Sequence, residues 1–125
     1  MNGRQLSILA ALNMMAAVGA GAFGAHGLKK MISPELLTVW QTGVLYHLAH
    51  ALGLFIIALL SLHWRAPALT LAGWLMFAGI LMFSGSLYAL TLAGTRWLGV
   101  ITPMGGVAFL LAWALVAWAA YRQAA

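Results

Sequence analysis

Four long apolar runs, separated by short polar seams, constrain this chain more than any other feature of its sequence. Of its 125 residues, 6% are charged and 65% are hydrophobic, and the single acidic residue, Glu35, lies at a seam. A soluble domain normally has about a quarter of its residues charged, because its outside faces water. We therefore expect lipid to be the solvent for most of this surface. The basic residues also lie at the ends of the runs or between them: Arg4, Lys29, Lys30, Arg65, Arg96 and Arg122.

Each apolar run is long enough to cross a bilayer as a helix. A helix rises about 1.5 Å per residue, so roughly twenty apolar residues span a hydrocarbon core of about 30 Å. We predict spans over about residues 6–26, 34–62, 68–92 and 98–121 in a single transmembrane domain, residues 1–125. The expected fold class is all-α: a polytopic membrane protein with four transmembrane helices in a compact antiparallel bundle.

Two of the seams carry helix-start signals. Ser33-Pro34-Glu35 combines a capping hydroxyl, a proline at the first helical position and an acid in the first turn. Glu35 is thereby explained by the helix dipole, without a catalytic role. Thr102-Pro103 predicts a second start of this kind, and the alternative is a longer helix kinked at Pro103.

Small residues in the first run predict a close helix crossing, because they let two backbones approach and make dispersion contacts. A glycine at position 85, opposite Ser84 and Tyr88, predicts another close crossing in the third run. The small residues of the first run form two rows with a spacing of four, Ala16, Ala20 and Gly24, and Ala17, Gly21 and Ala25.

The histidines are the main reactive candidates. His47 and His50 share a helix face with Trp40 and Gly43, near one end of the second span. Two histidines three residues apart can ligate one metal, with His26 as a third ligand, and a histidine pair on opposed helices can hold haem. A structural polar cluster is the favoured interpretation, since a histidine in such a place often only hydrogen-bonds to its neighbours. We therefore predict no metal and no cofactor.

Composition disfavours several classes of function. The chain has no cysteine and no aspartate, which removes thiolate chemistry and leaves no carboxylate pair for catalysis. No motif places Ser84 or Ser86 beside a histidine base, so we predict no enzyme activity and no catalytic residue. The first span has no acid, its most polar interior residue being Asn13, which disfavours proton-coupled export. The basic residues are scattered, so we expect no nucleic-acid binding.

Four motifs occur in order along the chain and carry a family resemblance. They are Gly21-Ala22-Phe23-Gly24-Ala25-His26, Trp40-Gln41-Thr42-Gly43 with Tyr46 and His50, Phe83-Ser84-Gly85-Ser86-Leu87-Tyr88, and Thr102-Pro103 with Gly105-Gly106. The set resembles the small bacterial inner-membrane protein family catalogued as domain of unknown function 423, which has small animal transmembrane relatives. The resemblance implies an integral inner-membrane protein with about four helices, and it implies no activity.

In an alternating four-helix topology, these motifs converge on one face of the membrane. That face is the candidate site for a ligand, a lipid headgroup or a protein partner. We predict a polar cluster there made of His26, Trp40, Thr42, Tyr46, His50, Ser84, Tyr88 and Thr102.

The expected role is that of an integral inner-membrane protein that acts in protein interaction or in small-ligand or lipid binding. The alternative is a small oligomeric transporter or channel. Besides the lipid bilayer, the expected partners are further copies of the chain or a membrane complex. The basic residues tie at three for each face of the membrane, and the N-terminal amine tips the prediction towards cytoplasmic termini.

Overall fold

A computed structural model describes residues 1–123 of the chain as helices joined by short turns. Within these residues, four helical segments are long and apolar enough to cross a membrane, which confirms the all-α, four-span prediction. A π-helical turn, Leu81–Gly85, continues the third segment so that it covers Pro67–Ala93. The α-helices are α1 (Gly3–His26), α2 (Pro34–His63), α3 (Pro67–Ile80), α4 (Ser86–Ala93) and α5 (Thr102–Tyr121).

Side-chain caps define where the first two helices begin. The Ser33 hydroxyl accepts a hydrogen bond from the Leu36 N–H at 3.3 Å, and Pro34 is the first residue of α2, as predicted. In α1 the Gln5 N–H donates to Asn2 Oδ1 at 2.9 Å, and the Asn2 N–H donates to Gln5 Oε1 at 3.1 Å. This reciprocal capping box starts α1 three residues before the predicted boundary, because it satisfies orphan N–H groups of the first turn.

The helix α1 packs along α2 through a stripe of small residues. The predicted packing face exists, but each of the two predicted rows contributes only one buried residue to it. Residues four apart drift by about 40° around a helix, whereas residues seven apart return to nearly the same side. The buried residues of α1 are accordingly Leu6, Ala10, Ala17 and Gly24.

The closest approach of α5 is to the π turn. A Cβ atom added at Gly105 would lie 2.8 Å from the Cα atom of Phe83, so these two backbones touch. The predicted close crossing at Gly85 is wrong, because a Cβ there would meet nothing nearer than 3.9 Å, the carbonyl oxygen of Ile80. Gly85 is the last residue of the π turn, and a Cβ at this position would meet no atom of another span within 4 Å.

The last span begins with a short turn followed by α5, and it differs from its prediction in how the helix is capped. A 3₁₀ turn, Arg96–Val100, precedes α5, so the segment before Pro103 is not the first half of a kinked helix. The helix begins at Thr102, whereas the sequence predicted Thr102 as the cap and Pro103 as the first helical residue. The Thr102 hydroxyl lies 2.6 Å from the Ser86 hydroxyl and 3.5 Å from the Leu98 carbonyl oxygen, so it bonds outside its own helix instead of capping it.

The spans alternate in direction and give the bundle two distinct ends. At the end that holds the N-terminus, called here the terminal end, Met1 lines a cavity together with Ser61 and Arg65 of the α2–α3 region. At the opposite end, Glu35 at the start of α2 lines a cavity with Arg96. The neighbouring helices are therefore antiparallel.

Candidate functional site

The polar residues of the bundle form separate groups rather than one pocket. The largest group is centred on His47 of α2, which bridges α1 and α4. Its Nε2 atom lies 3.1 Å from Asn13 Oδ1, and its Nδ1 atom lies 3.0 Å from the Tyr88 hydroxyl oxygen. We call Asn13, His47 and Tyr88 the interhelical triad.

The protons of the interhelical triad follow from its geometry. The Asn13 side-chain amide donates to the Leu9 carbonyl at 2.9 Å, which leaves Asn13 Oδ1 as an acceptor. The His47 Nε2–H therefore donates to Asn13, and the neutral His47 Nδ1 accepts from the Tyr88 hydroxyl. Both ring nitrogens of His47 are thus engaged within the bundle.

The triad lies deep in the bundle. His47 is thirteen residues after Pro34 and sixteen before His63, which is close to the midpoint of α2. The prediction that His47 lies near one end of its span is wrong. Its partner Asn13 is also close to the middle of its helix, α1, so the hydrogen bonds form where water is scarce.

Two further predicted residues pack around the triad. The Trp40 ring lies 4.5 Å from the Tyr88 ring, and its Nε1–H donates to the Ala20 carbonyl at 2.8 Å. The Ser84 hydroxyl is fully buried and donates to the Gly43 carbonyl at 2.7 Å. Ser84 and Tyr88 thus share the face that packs on α2, as predicted.

A second group of residues lines a groove between α2, the π turn and α5, which we call the aromatic groove. Its volume is about 400 Å³. Tyr46 and Leu110 are exposed at its rim, so it opens sideways on the bundle surface that faces lipid. The lining residues are Tyr46, His50, Phe83, Pro103, Gly106, Val107, Phe109, Leu110 and Trp113.

His50 brings a hydrogen-bond acceptor into this groove. Its Nδ1–H donates to the Tyr46 carbonyl oxygen at 2.8 Å, and its ring stacks on Phe109 at 3.5 Å between centroids. With the proton on Nδ1, the Nε2 atom carries a lone pair. Across residues 1–123, no buried side-chain nitrogen or oxygen is without a hydrogen-bond partner. His50 Nε2, which makes no such bond within this part of the chain, is therefore not fully buried, and His50 is a lining residue of the groove.

The other predicted site residues lie outside both groups. His26 is exposed at the end of α1, and the Thr42 hydroxyl donates to the Thr38 carbonyl of its own helix at 3.0 Å. His26 follows Gly24 by two residues, as Thr42 follows Trp40, and two residues turn a helix by about 200°. Both side chains therefore face away from the packed side. Thr102 pairs with Ser86 instead.

The histidines do not assemble into the ligand set that their spacing suggested. Among residues 1–123, no three His, Cys, Asp or Glu side chains come together. His47 and His50 share a face, but His47 uses both nitrogens for Asn13 and Tyr88. His50 uses Nδ1 for the Tyr46 carbonyl and lines the aromatic groove.

Asn13 and His47 belong to the triad but were not among the residues of the predicted polar cluster. Asn13 is the polar side chain in the interior of the first span, which was its one visible signal. Its pairing with His47 depends on the depth and rotation of α1 against α2, and no local pattern in the sequence specifies either.

Comparison with known proteins places this chain in a family. A family model described as protein of unknown function (DUF423) matches residues 20–106. The chain is 53% identical to the UPF0382 membrane protein YwdK of Bacillus subtilis (strain 168), over 92% of this chain and 94% of that protein. It is 49% identical to a UPF0382 membrane protein of Staphylococcus aureus (strain bovine RF122 / ET3-1), over 94% and 95%. It is 47% identical to one of Staphylococcus epidermidis (strain ATCC 12228 / FDA PCI 1200), again over 94% and 95%. No solved structure matches the chain.

Proposed function

We propose that this chain, which belongs to the DUF423 family of unknown function and is an integral membrane protein, binds a hydrophobic small molecule in the aromatic groove. One observation carries the proposal: His50, whose Nε2 atom makes no hydrogen bond within residues 1–123, lines an apolar groove of about 400 Å³. Ligand sites are typically apolar cavities of this size in which a few polar atoms fix the orientation of the ligand.

The chemistry of the groove indicates the kind of ligand. An acceptor in an apolar medium loses free energy unless a donor reaches it, so the ligand must present a hydroxyl or an N–H to His50. The walls are largely aromatic, with Phe83 and Phe109 at 5.7 Å between ring centroids. Such walls favour a flat or aromatic body. Because the groove opens towards lipid, the ligand enters from the membrane rather than from water.

The proposed role is binding without catalysis. Apart from His50 and Tyr46, the lining of the groove is apolar, so it offers no carboxylate or thiolate to act on a ligand. The alternative role, a small transporter or channel, has less support, since the polar atoms of the interhelical triad bond to one another instead of lining a path. Association with further copies of the chain or with a membrane complex stays a prediction.

Our proposal for the location is the bacterial inner membrane, with both termini in the cytoplasm. The N-terminal amine joins Arg4, Arg65 and Arg122 at the terminal end, which gives that end one more positive group than the opposite end. Positive charge close to the spans is enriched on the cytoplasmic side of membrane proteins.

The binding test compares two probes that differ by one hydrogen-bond donor, 4-octylphenol and its methyl ether, 4-octylanisole. We expect purified full-length protein in nanodiscs to bind the phenol about tenfold more tightly by calorimetry, as one buried hydrogen bond of about 1 to 1.5 kcal/mol implies. His50→Phe should remove this preference. His63→Phe, at an exposed histidine of the same helix, should keep it. Equal binding of the two probes by the unmodified protein contradicts the proposal.

A further inference from the structure

A second cavity, distinct from the aromatic groove, lies at the terminal end between the α2–α3 turn and the end of α5. Its volume is about 510 Å³. Arg65 from the turn and Arg122 from the residue after α5 both line it, together with Trp118 and Gln123. We infer that this arginine cleft binds the phosphate group of an anionic phospholipid.

The charge of the cleft favours an anion. Two arginines that line one cleft repel each other, and their guanidinium groups stay charged at any physiological pH. The one acidic residue of the sequence, Glu35, lies at the opposite end of the bundle in a cavity with Arg96. No Asp or Glu side chain is therefore available to the arginine cleft, and an anion from outside the protein fits it.

The cleft is partly ordered before an anion binds. The guanidinium carbon of Arg122 lies 5.6 Å from the centre of the Trp118 ring, a cation–π arrangement that restrains the side chain. The Gln123 side-chain amide donates to the Ala119 carbonyl at 2.9 Å. Arginine matches phosphate oxygens with two parallel N–H donors, so a cleft with two arginines, of which Arg122 is restrained, suits a phosphate better than a spherical anion.

The surroundings of the cleft favour a lipid over free phosphate. Arg65 also lines a neighbouring cavity of about 750 Å³ whose walls include Trp64, Leu71 and Trp74. Indole rings gather where headgroups meet acyl chains. A lipid phosphate between the arginines would leave its glycerol and chains against these apolar walls. A phosphodiester whose headgroup has no amine is favoured, because an amine would add a third positive charge to the cleft.

The test measures which phospholipids stay bound to the purified full-length protein in native mass spectrometry. Phosphatidylglycerol and phosphatidylcholine with identical acyl chains are offered together. We expect the unmodified protein to retain phosphatidylglycerol about tenfold more, equivalent to about 1.4 kcal/mol. The double variant Arg65→Gln with Arg122→Gln should lose this preference. The matched variant Arg4→Gln with Arg96→Gln removes the same charge outside the cleft and should keep it.

Equal retention of the two lipids by the unmodified protein would overturn the inference. So would an equal loss of preference in the two double variants, since it would mean general attraction by net charge. Inorganic phosphate at millimolar concentration is added in a third arm, and its displacement of phosphatidylglycerol would overturn the lipid assignment. If the glutamine variant fails to fold, Arg65→Lys with Arg122→Lys carries the test. It keeps the charge but removes the paired donors, so a reduced preference supports the inference and an unchanged one overturns it.

Discussion

Single hydrogen bonds between helices hold the centre of the bundle in one arrangement. Tyr88 donates to His47, and His47 donates to Asn13, so each replacement leaves a partner without its bond. We expect Tyr88→Phe to lower the free energy of unfolding by about 1 kcal/mol, within the range of interhelical hydrogen bonds in membranes. His47→Leu should cost more, roughly 2 kcal/mol, because it leaves both partners unpaired. Reversible unfolding in mixed micelles measures both.

A double-mutant cycle separates the free energy of the hydrogen bond between His47 and Tyr88 from that of packing. In a double-mutant cycle, Tyr88→Phe should cost clearly less when His47 is already leucine than in the unmodified protein, because the bond is then absent. His26→Leu, at an exposed histidine, should change the stability by less than about 0.5 kcal/mol. Additive effects of the His47 and Tyr88 replacements would contradict the triad.

Contact between Gly24 and the ring of Trp40 provides a second prediction for a single residue. A Cβ atom at Gly24 would lie 2.7 Å from Trp40 Cδ1, and the ring is held by its hydrogen bond to Ala20. We expect Gly24→Ala to destabilise the protein by about 1 to 3 kcal/mol through overpacking. Gly19→Ala on the same helix is the control, since a Cβ there meets nothing within 4 Å. The same unfolding assay compares the two variants. An equal change in the free energy of unfolding would contradict a tight contact between Gly24 and Trp40.

Local sequence predicts those single-residue features whose partners lie within one turn of helix. The Ser33 cap is one, because its acceptor and donor are three residues apart. The pairing of Asn13 with His47 is the opposite kind, since their distance of 3.1 Å depends on how two helices are rotated and staggered. Sequence identifies both side chains as polar interruptions of apolar runs, but it does not say that they meet.

The fit of α5 against the π turn is a property of whole elements. Gly105 contacts the backbone of Phe83, whereas a Cβ at the adjacent Gly106 would come only within 4.0 Å of the Phe83 ring. A backbone cannot move aside as a side chain can, so Gly105→Ala must push α5 away from the π turn. We expect a loss of about 3 kcal/mol or more, at or above the upper range for overpacking.

Gly106→Ala is the matched control for this contact. It makes the same chemical change one residue later and should alter the free energy of unfolding by less than about 1 kcal/mol, since an ordinary van der Waals contact results. Because Phe83 and residues of α5 line the aromatic groove, displacing α5 by Gly105→Ala should also weaken the binding of 4-octylphenol. Similar stability for the two variants would contradict close backbone packing between Gly105 of α5 and Phe83 of the π turn.

The π turn also marks where periodicity stops being informative. No polar side chain occurs between positions 71 and 83, so a helix with one extra residue in a turn has the same composition as a regular one. The polar face of Ser84 and Tyr88 was predictable from their spacing of four. The position of Gly85 relative to α5 was not, because Gly85 belongs to the π turn and its direction depends on the geometry of that turn.

For the whole molecule, composition specifies the number of spans, while the charges only weakly specify their direction. Four apolar runs with polar seams leave one simple all-α solution, and the helices follow it. Each end of the bundle, however, has three basic side chains. The orientation therefore depends on small differences, among them the N-terminal amine at the terminal end.

The orientation can be measured directly, because the sequence contains no cysteine and a single introduced one gives an unambiguous label. Gln123→Cys reports on the terminal end and Lys30→Cys on the opposite end. With cytoplasmic termini, a membrane-impermeant maleimide added to intact spheroplasts should label Lys30→Cys at once. It should label Gln123→Cys only after lysis. The reverse pattern would contradict the proposed orientation, and so would labelling of both sites before lysis.

The charge difference between the two ends of the bundle is a single positive group, so the preference for one orientation should be weak. Replacing Arg4 and Arg65 by glutamine gives the opposite end the excess of positive charge. This change should move a measurable fraction of molecules to the inverted orientation.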